Sequence, residues 1–482
     1  MKLIQCIKYG LGVAAIATLT WSCEDPNETF EPTNPNLSSD NVLGTIESSA
    51  RLLNGTERQL ALTMNEIVAP MEIATDNYEN TQTFFNQFLD DLAIDPTDRD
   101  IEEIQYSIAR LRELASAGIN DIVPADEGST DEQLAGFYML RGVAYLLGGE
   151  LFTTLPGEPM GPALPATDHL NAAIADFSAA MDLGSNQYSE GALIGRARAY
   201  YRLGNKSAAV ADATLAIANT PAYVYFARYD GVQGPGNVMQ DALWDRGSFD
   251  DLQPLPTMDF LDPKYNGATP NVEVNIPLLK IEEAHLILAE AALSDGSLDD
   301  AKQIMKNIVG LVATRPVDTF NDGVEGRTQD FPGSRPDNSS IMVAAGPDLP
   351  LMSGLVIDRG AEDVTIPTVS GTHYTEDEID AIDDIDFAYE SLYRMRQEIF
   401  FAEGRRVTDL GIRLVVSLTE KVGNPNITDA DLEPTIPSWL EPIKAEFDAF
   451  TYDTGAETAT VTNNLNRLIS ENRGSDLIAP FE

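Results

Sequence analysis

The sequence has little positive charge, few cysteines and few histidines. Its 482 residues contain 31 Lys and Arg against 77 Asp and Glu, which gives a net charge of -46. Proteins that bind nucleic acids need a basic surface to neutralise phosphates, so this composition excludes nucleic acid as a partner. Two cysteines and three histidines are too few for a disulfide framework or a zinc site built from these residue types. We therefore expect neither a metal nor a cofactor.

Sequence motifs typical of catalysis are also missing. The chain contains no G-x-S-x-G, H-E-x-x-H, P-loop or C-x-x-C pattern. The acidic run from Glu376 to Asp386 lacks the central Gly and the spacing of an EF-hand loop, so we interpret it as the solvated start of a helix, with binding of a cation such as calcium as the alternative. A chain with 77 acidic residues always offers carboxylate pairs suited to glycoside hydrolysis, but no spacing singles one out. We predict no catalytic residues, and a surface-anchored hydrolase stays an alternative.

Residues 1–22 have the pattern of a secretory signal peptide. A short basic stretch precedes an apolar run from Leu11 to Leu19, which is too short to span a bilayer. The run ends at Thr20-Trp21-Ser22-Cys23, and a lone Cys at this point looks like a bacterial lipobox. We expect lipidation of Cys23, which then becomes the mature N-terminus; ordinary secretion is the alternative. Residues 23–43 are acidic and rich in Pro and Asn, a composition that predicts an extended tether.

Residues 44–482 are expected to form one domain that is mostly helical. Apolar residues recur with a period of 3.6, most clearly over 101–118 and 137–152, and each of these segments predicts a helix. Two loop-rich insertions, at about 219–276 and 313–375, interrupt this pattern with Gly, Pro and Asp. Long loops inside a compact protein are commonly functional, and we expect little β-structure in them beyond possible strands at 341–344 and 354–357.

Two segments, 192–218 and 278–312, each predict a pair of helices joined by a turn that contains Gly. Both match the tetratricopeptide plan, in which small residues lie where two helices cross. We therefore predict a right-handed superhelical scaffold of tetratricopeptide-like helix pairs. Because the two segments are widely separated in sequence, we expect an interrupted repeat rather than a simple solenoid. The positions that match the plan are Ala199, Gly204, Ala209 and Ala216 in the first segment, and Ala291, Gly296, Ala301 and Ile308 in the second.

Residues 393–416 read YRMRQEIFFAEGRRVTDLGIRLVV. This stretch resembles the C-terminal signature of the SusD/RagB family, in which E-x-x-F, E-G-x-R and D-L follow one another. Its charged residues flank an apolar stripe, so we expect them to pair with one another at the edge of the core rather than to bind a ligand. The matching positions are Arg394, Arg396, Glu398, Phe401, Glu403, Gly404, Arg406 and Asp409.

The resemblance implies a lipoprotein of the outer membrane that faces the cell exterior and is not an enzyme. Such a protein captures a nutrient, usually an oligosaccharide, and acts as a lid on a TonB-dependent, SusC-like transporter. The helical scaffold would then dock the transporter, and the long loops would form the ligand site. A peptide nutrient is the alternative ligand, and a tetratricopeptide adaptor that binds other proteins is the alternative function.

Sugar recognition uses flat aromatic rings together with amides and carboxylates that bind hydroxyl groups. The resemblance directs attention to the segment after the first long helix, and the insertion at 219–276 supplies further aromatic residues. Single aromatic residues more often belong to a core, so their assignment to ligand binding is a hypothesis. The candidate ligand contacts are Asp76, Asn77, Tyr78, Phe84, Phe85, Tyr225, Tyr229 and Trp244.

Overall fold

The computed structural model describes residues 47–80, 86–245, 252–321, 335–359 and 363–475, together with Ile478 and Phe481. The predicted signal peptide at 1–22, Cys23, the tether at 23–43 and the candidates Phe84 and Phe85 lie outside these residues. Within the described ranges, no helix has the combination of length and hydrophobicity that crossing a bilayer requires.

Helices account for most of the regular structure, as predicted. Short π-helical turns at Gly118–Ile122 and Asp241–Asp245 and 3-10 turns at Asp259–Leu261 and Asp429–Leu432 supplement them. In chain order the α-helices are α1 (Ser48–Ile73), α2 (Gln87–Asp90), α3 (Arg99–Ala117), α4 (Val123–Ala125), α5 (Asp131–Leu151), α6 (Ala166–Met181), α7 (Gln187–Arg202), α8 (Lys206–Asn219), α9 (Val238–Gln240), α10 (Glu282–Ser294), α11 (Leu298–Val312), α12 (Glu376–Asp380), α13 (Ile385–Ile399), α14 (Arg406–Asp409), α15 (Leu418–Gly423) and α16 (Leu465–Glu471).

The strands are short and pair mostly in twos. They are β1 (Tyr78–Asn80), β2 (Thr154–Pro156), β3 (Ala163–Pro165), β4 (Val224–Ala227), β5 (Leu252–Pro254), β6 (Ile276–Lys280), β7 (Val317–Asn321), β8 (Met342–Ala344), β9 (Asp363–Pro367), β10 (Phe450–Asp453) and β11 (Thr458–Val461). Within the described residues, β1 pairs with β5, β2 with β3, β4 with β6 and β7 with β9, all antiparallel, while β11 lies between antiparallel β10 and parallel β8.

The long helices pack against one another in an unbroken series. Each of α1, α3, α5, α6, α7, α8, α10 and α11 contacts the next. The helix predicted over 101–118 is α3, and its Ile101, Ile104, Ile108 and Leu111 are buried as the periodicity indicated. Its start is set by the Asp98 side chain, which accepts a hydrogen bond from the backbone NH of Asp100 at 2.9 Å.

The two predicted helix pairs are present as α7 with α8 and α10 with α11. Gly204 and Gly296 end the first helix of each pair with φ of 68° and 74°, a left-handed conformation that favours glycine. Although the pairs are far apart in sequence, α8 packs directly against α10. The repeat is therefore interrupted along the chain but continuous in space. The predicted start of the second pair at residue 278 was wrong, because residues 276–280 form strand β6, which pairs with β4, and α10 begins at Glu282.

Small residues lie where helices cross, as the tetratricopeptide plan requires. The ring of Phe177 in α6 is wedged between Gly142 of α5 and Gly195 of α7. A methyl group added at Gly142 would lie 2.7 Å from this ring, and one added at Gly195 would lie 2.6 Å from it. Glycine at both positions therefore lets the three helices approach around one buried aromatic side chain.

The two insertions contain more strand structure than predicted. The first contributes β4 and β5 and the second contributes β7, β8 and β9, which are separated by irregular chain. The strand expected at 341–344 is β8, whereas 354–357 forms no strand. The acidic run after Tyr374 begins two helices, since Thr375 caps α12 and Asp384 caps α13.

Candidate functional site

Asp76 and Asn77, which follow α1, are buried and bind distant parts of the chain. The carboxylate of Asp76 accepts two hydrogen bonds from the guanidinium of Arg406, at 2.7 and 2.9 Å. The amide of Asn77 donates to Glu72 at 2.7 Å and accepts from Gln397 at 3.0 Å. Both side chains therefore have their polar groups occupied by protein.

Tyr78 is fully buried as well. Its hydroxyl donates to the carboxylate of Asp262 at 2.8 Å, and its ring stacks on Phe401 with the ring centroids 4.8 Å apart. The aromatic face that a sugar would need is thus covered by another aromatic ring.

Tyr225 and Tyr229, from the first insertion, are also core residues. The Tyr225 hydroxyl donates to Glu57 at 3.1 Å, and the Tyr229 hydroxyl donates to the backbone carbonyl of Ala61 at 3.0 Å. Both interactions hold the insertion against α1.

Trp244 is 4% exposed and packs its edge against Phe320, with ring centroids 5.4 Å apart. Val364 and Ile366 of β9 complete this small apolar cluster. The structure thus places all six described candidates below the surface, and their positions do not support the direct ligand contact we predicted for them.

The charged residues of the 393–416 motif are buried and paired. Arg396 donates to Asp409 at 2.9 Å, and Asp409 also accepts from Arg202 at 2.9 Å. Glu283 binds Arg405 through two contacts of 2.7 and 2.9 Å and lies 3.4 Å from Arg396. Burial alone would raise the pKa of Glu283, but the guanidinium groups of Arg405, Arg198 and Arg396 hold it well below its usual range.

A second part of this network joins two lysines to one carboxylate. Lys264 and Lys280 each donate to the same oxygen of Glu403 at 2.6 Å. Burial lowers the pKa of Lys280 to about 8, against the attraction of Glu403. Such groups are tolerated in a core because they are paired and hydrogen-bonded: Lys264 also donates to the carbonyl of Phe401, and Lys280 to those of Val369 and Ile399.

The remaining motif residues bind the end of α1 and the chain before α12. The backbone NH of Gly404 donates to Glu72 at 2.6 Å, and Glu398 accepts from Thr372 at 2.7 Å and binds the ring of His373. Arg394 lies 3.4 Å from Glu390, one turn away on α13. The pairing predicted for the motif is present, and it lies inside the core rather than at its edge.

An open groove lies between the end of β1 and the start of α3. It is formed by residues 86–100, which we call the 86–100 groove, and has a volume of about 570 Å³. Its lining combines an exposed aromatic ring with carboxylates, an amide, a hydroxyl and a guanidinium. The lining residues are Asn86, Phe88, Ala93, Asp95, Thr97, Asp98, Arg99 and Asp100.

Hydrogen bonds hold the polar side chains of the groove in place. Asn86 donates to Asp98 at 2.6 Å and to Asp100 at 3.0 Å. Asp95 accepts from the backbone NH of Thr97 at 2.8 Å and from its hydroxyl at 2.6 Å, and these bonds lower the pKa of Asp95. The carboxylates are therefore oriented before any ligand arrives.

Phe88 provides the apolar part of the groove. It is 63% exposed, although its neighbour Leu89 is buried and anchors the short helix α2. Asn86 caps this helix by accepting from the backbone NH groups of Phe88 and Leu89 at 3.1 and 3.2 Å. An exposed ring beside fixed carboxylates is the combination that sugar recognition uses.

The chain matches no protein-family model and no curated protein sequence. Solved structures do match. A SusD superfamily protein from Parabacteroides distasonis superposes with a TM-score of 0.52 at 12% identity, over 81% of this chain and 99% of that one. The chain has the SusD-like fold.

Two further matches have lower TM-scores. A SusD superfamily protein from Bacteroides thetaiotaomicron has a TM-score of 0.49 at 12% identity, over 80% of this chain and 98% of that one. A SusD-like carbohydrate binding protein from Bacteroides vulgatus has a TM-score of 0.49 at 12% identity, over 76% of this chain and 83% of that one. At such low identity the likeness concerns the fold.

In this SusD-like fold the 393–416 motif is a structural element. Its charges tie α1, α10 and α13 together, and its described side chains bind other parts of the protein. The groove residues were missed because we looked for aromatic residues directly after α1 and in the first insertion. The sequence feature that could have indicated the groove is Phe88, an aromatic residue in the largely polar segment that precedes α3.

Proposed function

We propose that this chain captures an oligosaccharide in the 86–100 groove. The observation that carries the proposal is the exposed ring of Phe88 beside the fixed carboxylates of Asp95, Asp98 and Asp100. The ring offers a flat surface for the CH groups of a pyranose, and the carboxylates accept hydrogen bonds from its hydroxyls. The fold and the groove together support a binding protein rather than an enzyme.

We further propose that the protein is anchored to the outer membrane through lipidated Cys23 and faces the exterior. There it would pass its ligand to a TonB-dependent, SusC-like transporter and act as its lid. The proposed transporter role is supported by the SusD-like fold, and the proposed anchor is supported by the sequence around Cys23.

Phe88→Ala is expected to weaken oligosaccharide binding by about tenfold or more, because it removes the stacking surface. The change should leave the fold intact, since the side chain is largely exposed. Isothermal titration calorimetry with the best ligand from a glycan array measures the effect. Phe387→Ala is the matched control, because Phe387 is also an exposed aromatic residue, at 41%, but lies outside the groove lining. Equal affinity of the Phe88 variant and the wild type would move the ligand site elsewhere.

Affinity purification from the native outer membrane is expected to recover a TonB-dependent transporter with this protein. Recovery of this protein without any transporter would contradict the lid role but leave the groove assignment intact.

Cys23→Ala is expected to release the protein from the membrane fraction, because the lipid is its proposed anchor. Membrane association of the Cys23 variant would contradict the anchor.

A further inference from the structure

The lining of the 86–100 groove is strongly biased towards negative charge. Three carboxylates, Asp95, Asp98 and Asp100, line it together with one cation, Arg99. The Arg99 side chain is 88% exposed, and its closest carboxylate contact is Glu103 at 3.8 Å. Water therefore screens its charge. Hydrogen bonds fix the orientation of the three carboxylates, so negative charges outnumber the single positive charge in the groove.

More carboxylates lie around the groove. Glu66 on α1 and Glu103 on α3 are close enough to Asp100 to influence one another. Burial raises the pKa values of Glu66 and Asp100, and the neighbouring carboxylates raise them further, against the weaker opposing effect of Arg99. A negatively charged group placed in this groove would add to that repulsion.

The start of α3 does not counter this field. A helix N-terminus normally attracts anions, but here Asp98 caps the helix and Asp100 and Glu102 occupy its first turn. These negatively charged side chains already compensate the partial positive charge at the N-terminus of the helix. Apart from the exposed Arg99, the described residues that line the groove offer an anionic ligand group no positive charge.

Hydrogen-bond acceptors remain open to a ligand. Among the described contacts, the carboxylate of Asp95 accepts hydrogen bonds only through Oδ1, and that of Asp100 accepts one only through Oδ2. The second oxygen of each is available to a donor. Hydroxyl and ammonium groups are donors, whereas carboxylate and sulfate groups are not.

We propose that the 86–100 groove selects oligosaccharides by charge, accepting sugars that are neutral or carry protonated amines and rejecting those with carboxylate or sulfate groups. The inference rests on the proposed oligosaccharide-binding function. This specificity comes from the charged side chains of the groove and does not follow from the SusD-like fold.

A matched series of ligands tests the proposal. A glycan array first finds the best-binding neutral backbone among cello-, manno-, malto- and xyloglucan-type oligosaccharides. Its primary alcohols are then oxidised to carboxylates in one sample and replaced by amines in another. Calorimetry at low salt should show the oxidised form bound at least tenfold more weakly than the neutral parent, and the amine form bound at least as tightly. The difference should shrink as salt is added.

Asp95→Asn supplies the second measurement, because it removes one exposed charge with almost no change in shape. It should narrow the gap between the oxidised and neutral ligands, whereas Asp299→Asn, a change on the exposed side of α11, should not. Equal affinity for the oxidised and neutral forms, or a preference for the oxidised form, would overturn the inference while leaving the binding function intact. Binding that is indifferent to Phe88→Ala would show that the ligand lies elsewhere and overturn it too. Absence of binding to every glycan on the array would overturn both proposals.

Discussion

Replacing Glu283 with Ala is expected to lower the free energy of unfolding by about 3–5 kcal/mol. Glu283 is fully buried at the start of α10 and binds Arg405 at 2.7 and 2.9 Å, with Arg396 at 3.4 Å and Arg198 at 4.0 Å. Removing the carboxylate leaves these guanidinium groups buried beside one another without their shared counter-charge. Unfolding in urea, followed by circular dichroism, measures the change.

Asp380→Ala is the matched control for this experiment. Its carboxylate pairs with Lys306 at 2.8 Å, but the Asp380 side chain is 56% exposed. Exposed pairs contribute at most about 1 kcal/mol, so the control should change stability little. Should the Glu283 variant fail to fold, Glu283→Gln keeps the shape of the side chain and should still be recovered with reduced stability. Losses of equal size in the Glu283 and Asp380 variants would contradict a structural role for the buried network.

Stability is expected to decrease as the pH rises from about 5 to 8. Burial and, second to it, the neighbouring carboxylate of Asp448 raise the pKa of Asp90 to about 8. Burial and the neighbouring Glu79 likewise raise the pKa of Asp448 to about 7. Burial also raises the pKa values of Glu72 and Glu290 to about 7. The folded protein therefore holds protons that the unfolded chain releases near pH 4.

The sign of this effect follows from proton binding. Because the folded state binds more protons than the unfolded state between about pH 4 and 8, raising the pH across this range favours unfolding. Each pKa unit corresponds to about 1.4 kcal/mol. At lower pH the opposite trend sets in. Burial opposes ionisation of Glu150, Glu283 and Asp409, but arginines lower their pKa values, and the stability from those pairs is lost in acid.

The double variant Asp90→Asn with Asp448→Asn is expected to flatten the decline between pH 5 and 8. It should also be more stable than the wild type at pH 8, because neither amide ionises. Thermal unfolding across this pH range measures both effects, and Asp299→Asn, an exposed carboxyl outside the cluster, serves as the control. A wild type that is equally stable at pH 5 and pH 8 would contradict the prediction.

The helices could be predicted from the sequence because their signals are local. The apolar period of α3, the turns at Gly204 and Gly296 and the small residues of the helix pairs each depend on neighbours within a few positions. The charges of the 393–416 motif were also predicted to pair, because isolated charges beside an apolar stripe are unstable. Their partners could not be predicted, since Glu283 and Arg202 come from other helices.

The segment after α1 depends on long-range contacts that no local pattern contains. Asp76, Asn77 and Tyr78 have the residue types of a binding segment, yet their hydrogen-bond partners lie 330, 320 and 184 positions further along the chain. Only the tertiary structure brings those partners to the segment and buries it.

The sequence by itself determined the helical class, the helix pairs and the acidic character of this protein, because composition and short-range periodicity specify them. Only the tertiary structure decided which of the aromatic residues considered for ligand binding are exposed to solvent. Tyr78 and Trp244 are covered by rings from distant segments, whereas Phe88 lies on a short capped helix whose exposed side no described element covers. Exposure depends on which parts of the chain pack together, and that is a long-range property. The residues of the groove are close together in sequence, but that packing leaves them open to solvent.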